Sequence, residues 1–127
     1  MALIEARGVS FGYNASPLFQ DINFSIEPGK LFCLLGPNGC GKTTLLDCIL
    51  GHLKPMSGEI LINGSNINRT RPEQIARQIA YVPQTHEKTF PYMVRDVVLM
   101  GRAAYIGMFG RPGEDDLAIV EEALAMV

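Results

Sequence analysis

The sequence predicts an α/β fold with an antiparallel β portion at its N-terminal end and the start of an α-helical subdomain at its C-terminal end. Three observations predict it. A mostly apolar stretch, Lys30-Leu31-Phe32-Cys33-Leu34-Leu35, meets a glycine-rich turn, and a helical stretch from Thr44 to Leu50 leaves it. Ahead of that unit, Ile22-Asn23-Phe24-Ser25-Ile26 alternates apolar and polar side chains, the period of a half-exposed strand. Behind it, Leu117, Val120, Leu124 and Val127 recur at helical spacing. The composition agrees: 127 residues suffice for one core, and 47% apolar with 19% charged residues is globular rather than disordered.

In chain order, Leu3 to Val9 reads as the first strand. Phe11-Gly12-Tyr13 follows, then a polar turn through Asn14, Ser16 and Pro17. After the alternating strand, Pro28-Gly29 turns the chain into Lys30 to Leu35, where the apolar run Leu31 to Leu35 predicts a buried strand. The helix from Thr44 stops at Gly51. Pro55 and Gly58 punctuate a surface turn, Ile60-Leu61-Ile62 restarts a strand, and Asn63-Gly64 is a tight-turn pair. Thr70-Arg71-Pro72-Glu73 has capping-box spacing, so a short helix is expected through Gln78, with Ile75 and Ile79 on one side. Ile79-Ala80-Tyr81-Val82-Pro83-Gln84 reads as a strand ending in a glutamine. Val94 to Met100 reads as a helix that lacks a capping side chain at Met93 and ends at Gly101-Arg102. Tyr105 to Pro112 reads as an apolar and aromatic loop, and Glu114-Asp115-Asp116 place acidic residues in the first turn of the last helix.

The turn itself, Gly36-Pro37-Asn38-Gly39-Cys40-Gly41-Lys42-Thr43-Thr44, fits the phosphate-binding pattern G-x-x-x-x-G-K-[ST], with the strand before and the helix after that the motif requires. Consecutive backbone N–H groups of such a turn converge on a phosphate chain. The helix N-terminus adds free donors and the positive end of a dipole. Gly39 and Gly41 permit backbone angles and a close approach that a side chain hinders. Lys42 reaches the β- and γ-phosphates as a point charge, and the Thr43 hydroxyl is a ligand for Mg²⁺. The plainer reading is a glycine-rich turn joining two core elements; pattern and context together favour the phosphate site. Cys40 lies beside a helix N-terminus and Lys42, both of which favour a thiolate. A redox-sensitive switch is one reading of it, and a small residue that fits the loop is the plainer, preferred one.

Other classes find little support. A net charge of −2 leaves no electrostatic footprint for nucleic acid. The Met-Ala-Leu-Ile-Glu start has no basic or long apolar region of a secretory signal, and apolar runs such as Leu31 to Leu35 and Val97 to Met100 are too short to span a bilayer. Three cysteines without metal-ligand spacing suit a reducing cytosol.

Four features, in order, resemble the ATP-binding subunit of an ABC transporter. They are Tyr13 after Phe11-Gly12, the Gly29-Lys30 turn, the phosphate loop, and Gly51-His52-Leu53-Lys54-Pro55-Met56-Ser57-Gly58-Glu59-Ile60. The resemblance implies a P-loop NTPase (RecA-like) core in an incomplete domain. Residues 1–127 would be the N-terminal part of one ABC ATP-binding domain, with 1–84 a portion of the nucleotide-binding core and 85–127 the exit from the Q-loop and the start of the helical subdomain. It implies that Gly36 to Thr44 hold ATP, with Mg²⁺ on Thr43 and Gln84. Tyr13 would stack on adenine, against the plainer reading of a half-buried tyrosine at a strand end. Gln84 would be the Q-loop glutamine, whose amide oxygen reaches Mg²⁺ or the attacking water and senses the γ-phosphate; the plainer reading is a polar residue closing a strand. Val98-Leu99-Met100-Gly101-Arg102 with Gly107-Met108-Phe109-Gly110-Arg111-Pro112 is similar to the importer subclass serving iron–siderophore, haem, cobalamin and related metal-chelate uptake, although Met100, Met108 and Phe109 also suit core filler. The implied partners are a second ATP-binding subunit, transmembrane permease subunits and, indirectly, a substrate-binding protein, at the cytoplasmic face of the plasma (inner) membrane.

The 127 residues contain no Leu-Ser-Gly-Gly-Gln signature and no apolar strand ending in Asp-Glu. Asp115-Asp116 follow Pro112-Gly113-Glu114, and His52 and His86 come too early for the family's switch histidine. Phosphoryl transfer is mostly positioning and charge stabilisation, so this chain alone is expected at most to bind nucleotide weakly, with hydrolysis left to a dimeric parent. A doubly wound sheet needs later strands to cover its faces, so exposed apolar edges are expected. A non-transport ABC protein acting on ribosomes or DNA predicts basic segments. An unrelated P-loop kinase or GTPase would lack Tyr13 and Gln84, and a GTPase would carry an Asn-Lys-x-Asp motif, which is absent. A truncated product that only binds nucleotide is a further reading.

Overall fold

The computed structural model describes residues 1–85 and 90–127, in two compact units, Met1–Ile75 and Ala76–Val127. The first unit is built on a hairpin. Strand β1 (Ile4–Tyr13) pairs antiparallel with β2 (Ser16–Ile26), and Tyr13 faces Ser16 across a two-residue turn. Both turn residues, Asn14 and Ala15, have positive φ (50° and 63°), the geometry that matches strand twist in a two-residue hairpin. The first strand thus runs four residues past Val9, and the stretch expected as a strand, Ile22–Ile26, is the second half of β2.

Strand β3 (Ser57–Ile62) pairs on the other edge of β1, and the tight turn Asn63-Gly64 leads into the short β4 (Ser65–Asn66), giving the order β2-β1-β3-β4. Gly58 lies inside β3 rather than in the preceding turn. Its φ is +77°, and a Cβ there would stand 2.2 Å from the Gly8 carbonyl oxygen, so the strands can approach at this irregularity only because position 58 is glycine.

Helix α1 (Lys42–Ile49) follows the glycine-rich turn and buries Leu45, Cys48 and Ile49. Leu50 caps it and Gly51, at φ +75°, ends it as expected. With Ala6, Val9, Phe11, Ile60, Leu61, Ile62, Ile67 and Ile75, these side chains form the buried apolar set of the first unit. Each fully buried Leu or Ile contributes about 1.5–3 kcal/mol.

The expected capping box at Thr70 does not form, and the helix starts one residue later. Helix α2 (Pro72–Ala76) begins with the Ile75 amide donating to the Arg71 carbonyl, so Arg71 holds the cap position, while the Thr70 hydroxyl turns back to donate to the Asn66 carbonyl. The helix stops at Ala76 instead of Gln78.

Two expected strands do not form. Lys30 to Leu35 and Ile79 to Gln84 carry no ladder, and Leu31, Leu35 and Val82 are 93%, 88% and 90% exposed. A strand exists only against a partner, and among the described residues the sheet contains β1 to β4 alone. The expected apolar exposure is present, at these stretches and also at Phe90, Met93, Met100, Met108 and Phe109, which are therefore not core filler.

In the second unit, α3 (Val94–Met100) starts at Met93 without a side-chain cap and packs with α5 (Glu114–Ala125). Leu117 and Leu124 are half-buried and Val120 is fully buried on one face of α5; Val127, expected on that face, is exposed beyond the helix end. The start of the expected Tyr105–Pro112 loop is instead helical, as α4 (Ala103–Ile106) ends in Gly107 at φ +78°. Its opening, Ala103-Ala104, is a good helix sequence that the aromatic content of the loop masks. His86 lies outside the described residues. No helix among the described residues is long and apolar enough to cross a membrane.

Candidate phosphate-binding site

The turn before α1 brings its parts together through backbone geometry. Gly39 (φ +83°) and Gly41 (φ +99°) are both left-handed, and Gly41 is the residue from which the helix departs, its carbonyl accepting the Leu45 amide at 2.8 Å. An L side chain at either position would be strained. Gly41 is doubly constrained, because a Cβ would meet the Phe19 ring at 2.9 Å and Leu18 at 3.0 Å. Strand β2 therefore backs directly onto the start of the helix. The sequence reading missed Leu18 and Phe19; their apolar side chains on the hairpin opposite a glycine motif were the available signal.

Lys42 folds across the turn. Its Nζ donates to the Gly36 carbonyl at 2.6 Å and the Pro37 carbonyl at 2.7 Å. The Cys40 Sγ lies 3.8 Å from the same Nζ, and a Cβ on Gly36 would stand 2.7 Å from that sulfur. The Cys40 amide donates to the Pro37 carbonyl, closing the turn. The cation thus sits at the mouth of the turn, next to the N-terminus of a helix with no acidic residue in its first turn. Thr43 and Asn38 are exposed, and Thr44 is half-buried. This arrangement offers an anion backbone donors, a helix end and one ammonium, with no competing carboxylate in the helix's first turn.

Tyr13 closes β1, is 58% exposed, and meets the Phe11 ring edge-on at 5.1 Å between centroids. Phe11 in turn stacks on Phe19 at 6.2 Å. A continuous aromatic path therefore runs from Tyr13 through Phe11 and Phe19 to Gly41, tying the exposed ring to the loop. Gln84 belongs to the second unit, outside any strand, and is exposed.

The remaining ionisable groups near α1 are unremarkable in role. Cys48 is buried, and burial followed by the neighbouring Asp47 charge pushes its thiol pKa up, which keeps it an inert core residue. The Asp47 carboxylate lies 3.4 Å from the His52 ring at the far end of the helix. No cluster of three or more His, Cys, Asp or Glu residues able to hold a metal exists among the described residues.

Residues 19–127 match the sequence family described as ABC transporter. The chain is 40% identical over 122 residues to an uncharacterized ABC transporter ATP-binding protein of Haemophilus influenzae, covering 96% of this chain and 46% of that protein. It is 39% identical over 127 residues to the manganese transport system ATP-binding protein MntA of Synechocystis, covering 98% and 48%. A protein of Helicobacter pylori named "Probable iron chelatin transport ATP-binding protein" is 38% identical over 111 residues, covering 87% and 44%. Among solved structures, one described as a metal-chelate type ABC transporter in an inward-facing conformation superposes with a TM-score of 0.76 at 32% identity, covering 99% of this chain and 45% of that one. The chain spans about half the length of the curated relatives it matches. The glycine turn, the lysine across its mouth and the hairpin behind it thus occur in a chain that belongs to the ABC transporter family.

Proposed function

We propose that this chain is the nucleotide-cradling part of the ATP-binding subunit of an ABC importer, whose parent hydrolyses ATP to drive uptake of a metal ion or metal chelate. The observation that carries the reading is the Lys42 ammonium poised across a turn whose Gly39 and Gly41 are left-handed, at the start of α1. Gly36, Pro37, Asn38, Gly39, Cys40, Gly41 and Thr44 form the cradle for the phosphates. Lys42 exchanges its two carbonyl acceptors for β- and γ-phosphate oxygens. Tyr13, exposed at the end of the aromatic path, stacks on adenine. Thr43 and Gln84 would hold Mg²⁺, which would supply charge neutralisation on the phosphates. Gln84 also senses the γ-phosphate.

Hydrolysis itself is a property of the dimeric parent, which places a second ATP-binding subunit over this site and two permease subunits against it, with a substrate-binding protein acting upstream. That assembly sets the chain on the cytoplasmic face of the plasma (inner) membrane as a peripheral subunit. The cargo class rests on the printed functions of similar proteins, manganese transport and iron chelatin transport, and on the Val98–Arg102 and Gly107–Pro112 stretches.

The test is ATP turnover and nucleotide binding by the full-length subunit with and without Lys42→Ala. Loss of the lysine is expected to weaken binding about 10- to 100-fold, as for removal of charge-assisted hydrogen bonds, and to abolish turnover. Turnover that survives Lys42→Ala sinks the reading.

A further inference from the structure

A ring that stacks on a base needs a fixed plane as well as a free face. Tyr13 is 58% exposed at the end of β1. Its neighbours in the turn, Asn14 and Ala15, are exposed, and so is Ser16, its partner across the hairpin. The plane is set from the other side, by Phe11. The two residues stand two apart on one strand, so their side chains leave the same face of the sheet. Their ring centroids are 5.1 Å apart with the planes at 84°. An edge-to-face pair of this kind occupies at most one face of Tyr13 and leaves the other for a ligand. Phe11 is buried where Tyr13 is exposed, so Phe11 is the anchored member of the pair.

The ladder explains what anchors Phe11. It pairs with Phe19 of β2, and their rings stack at 6.2 Å and 30°. The next pair along is Gly12 with Pro17, which leaves Leu18 as an extra residue on β2. A bulge of this kind takes successive side chains out of strict alternation. Leu18 and Phe19 accordingly both reach Gly41, where a Cβ would meet them at 3.0 and 2.9 Å. Gly12 accommodates the bulge, because a Cβ there would run into the Ser16 carbonyl oxygen. All of these residues belong to the first unit, on or against the paired strands β1 and β2.

We infer that Phe11 is a positioning residue for the adenine contact: it fixes the plane of the Tyr13 ring, and the part of nucleotide affinity that comes from the base depends on it. The inference rests on the reading of Tyr13 as the ring that stacks on adenine. Phe11 acts through Tyr13, because it is itself buried. It leaves the phosphate part of the affinity alone, because the residues that meet Gly41 are Leu18 and Phe19.

Titration calorimetry on the full-length subunit, with ATP and with inorganic tripolyphosphate as ligands, tests the inference. Tyr13→Ala comes first: ATP is expected to bind about tenfold or more weakly, with tripolyphosphate unchanged. An unchanged ATP affinity there, or a loss shared by tripolyphosphate, overturns the adenine reading and the inference with it. Given the expected loss, Phe11→Leu keeps an apolar side chain and removes the ring. It is expected to weaken ATP binding about three- to tenfold, to leave tripolyphosphate unchanged, and to add little when Tyr13 is already alanine. If Phe11→Leu does not fold, Phe11→Met, an adaptable side chain without a ring, carries the test. Equal weakening of both ligands gives Phe11 a structural role alone. That result, an unchanged ATP affinity, or equal losses with and without the Tyr13 ring overturns the inference.

Discussion

The first unit contains a four-stranded sheet and holds Lys42 and Thr43 on a helix that buries Leu45, Cys48 and Ile49, whereas the second joins Arg77 to Ala104 and Tyr105, and Arg102 to Asp116, by polar contacts. Every buried apolar side chain among the described residues, except Val120, belongs to the first unit. Apolar burial is insensitive to pH and little affected by salt, while exposed polar contacts are screened and titrate. The first unit is thus held mainly by apolar burial, while the contacts that join Arg77 to Tyr105 and Arg102 to Asp116 are polar.

The largest effect expected from this contrast lies in the first unit. Ile60 is fully buried on β3 opposite Ala6, and Ile60→Ala should cost about 2–5 kcal/mol. Urea denaturation followed by hydrogen exchange at the β1 and β3 amides measures it; protection unchanged from the unsubstituted protein would remove the claim that burial holds this unit.

Asp116 offers the corresponding handle in the second. The Gly113 amide first, and the Arg102 guanidinium second, hold its carboxyl pKa below the ordinary value. A depressed folded-state pKa means that this contribution is present above the unfolded carboxyl value and lost as pH falls through the folded one. Asp116→Asn should abolish that acid-dependent part while keeping the helix end capped by an amide oxygen. The pH dependence of the Gly113 amide resonance reports it, and a Gly113 signal that titrates identically in both proteins counts against these contacts.

The smallest effect is at the hairpin turn. Ala15 sits at φ +63°, a conformation costly for any residue with a Cβ, so Ala15→Gly should stabilise the first unit by about 0.5–1 kcal/mol. An unchanged or lowered midpoint in thermal unfolding would show that the turn is strained by something other than this residue.

What could be read in advance follows the range of the forces involved. The glycine turn, the stop at Gly51, the Asn63-Gly64 turn and the uncapped start at Met93 are local, fixed by a few neighbouring residues, and the structure has them. The strands at Lys30 to Leu35 and Ile79 to Gln84 were equally legible as strand sequences, but a strand is a pairing rather than a property of one segment, and among the described residues no strand pairs with them. The helix expected to start from a Thr70 cap starts one residue later, from Arg71, and the Thr70 hydroxyl instead donates to the Asn66 carbonyl. Leu18 and Phe19 against Gly41, and Tyr105 between two arginines, join positions far apart in sequence, and no spacing rule reaches that far.

The two carbonyls on Lys42 carry a consequence for how affinity at this turn is measured. With acceptors at 2.6 and 2.7 Å, the ammonium already has internal ligands, and under the proposed function an arriving phosphate would have to displace them rather than meet a vacant charge. Observed affinity is then an exchange constant, the bonds gained less the bonds surrendered. Changes in the turn that weaken the internal set would tighten nucleotide binding without touching the nucleotide, and tight binding alone would say little about how well the cradle fits a phosphate.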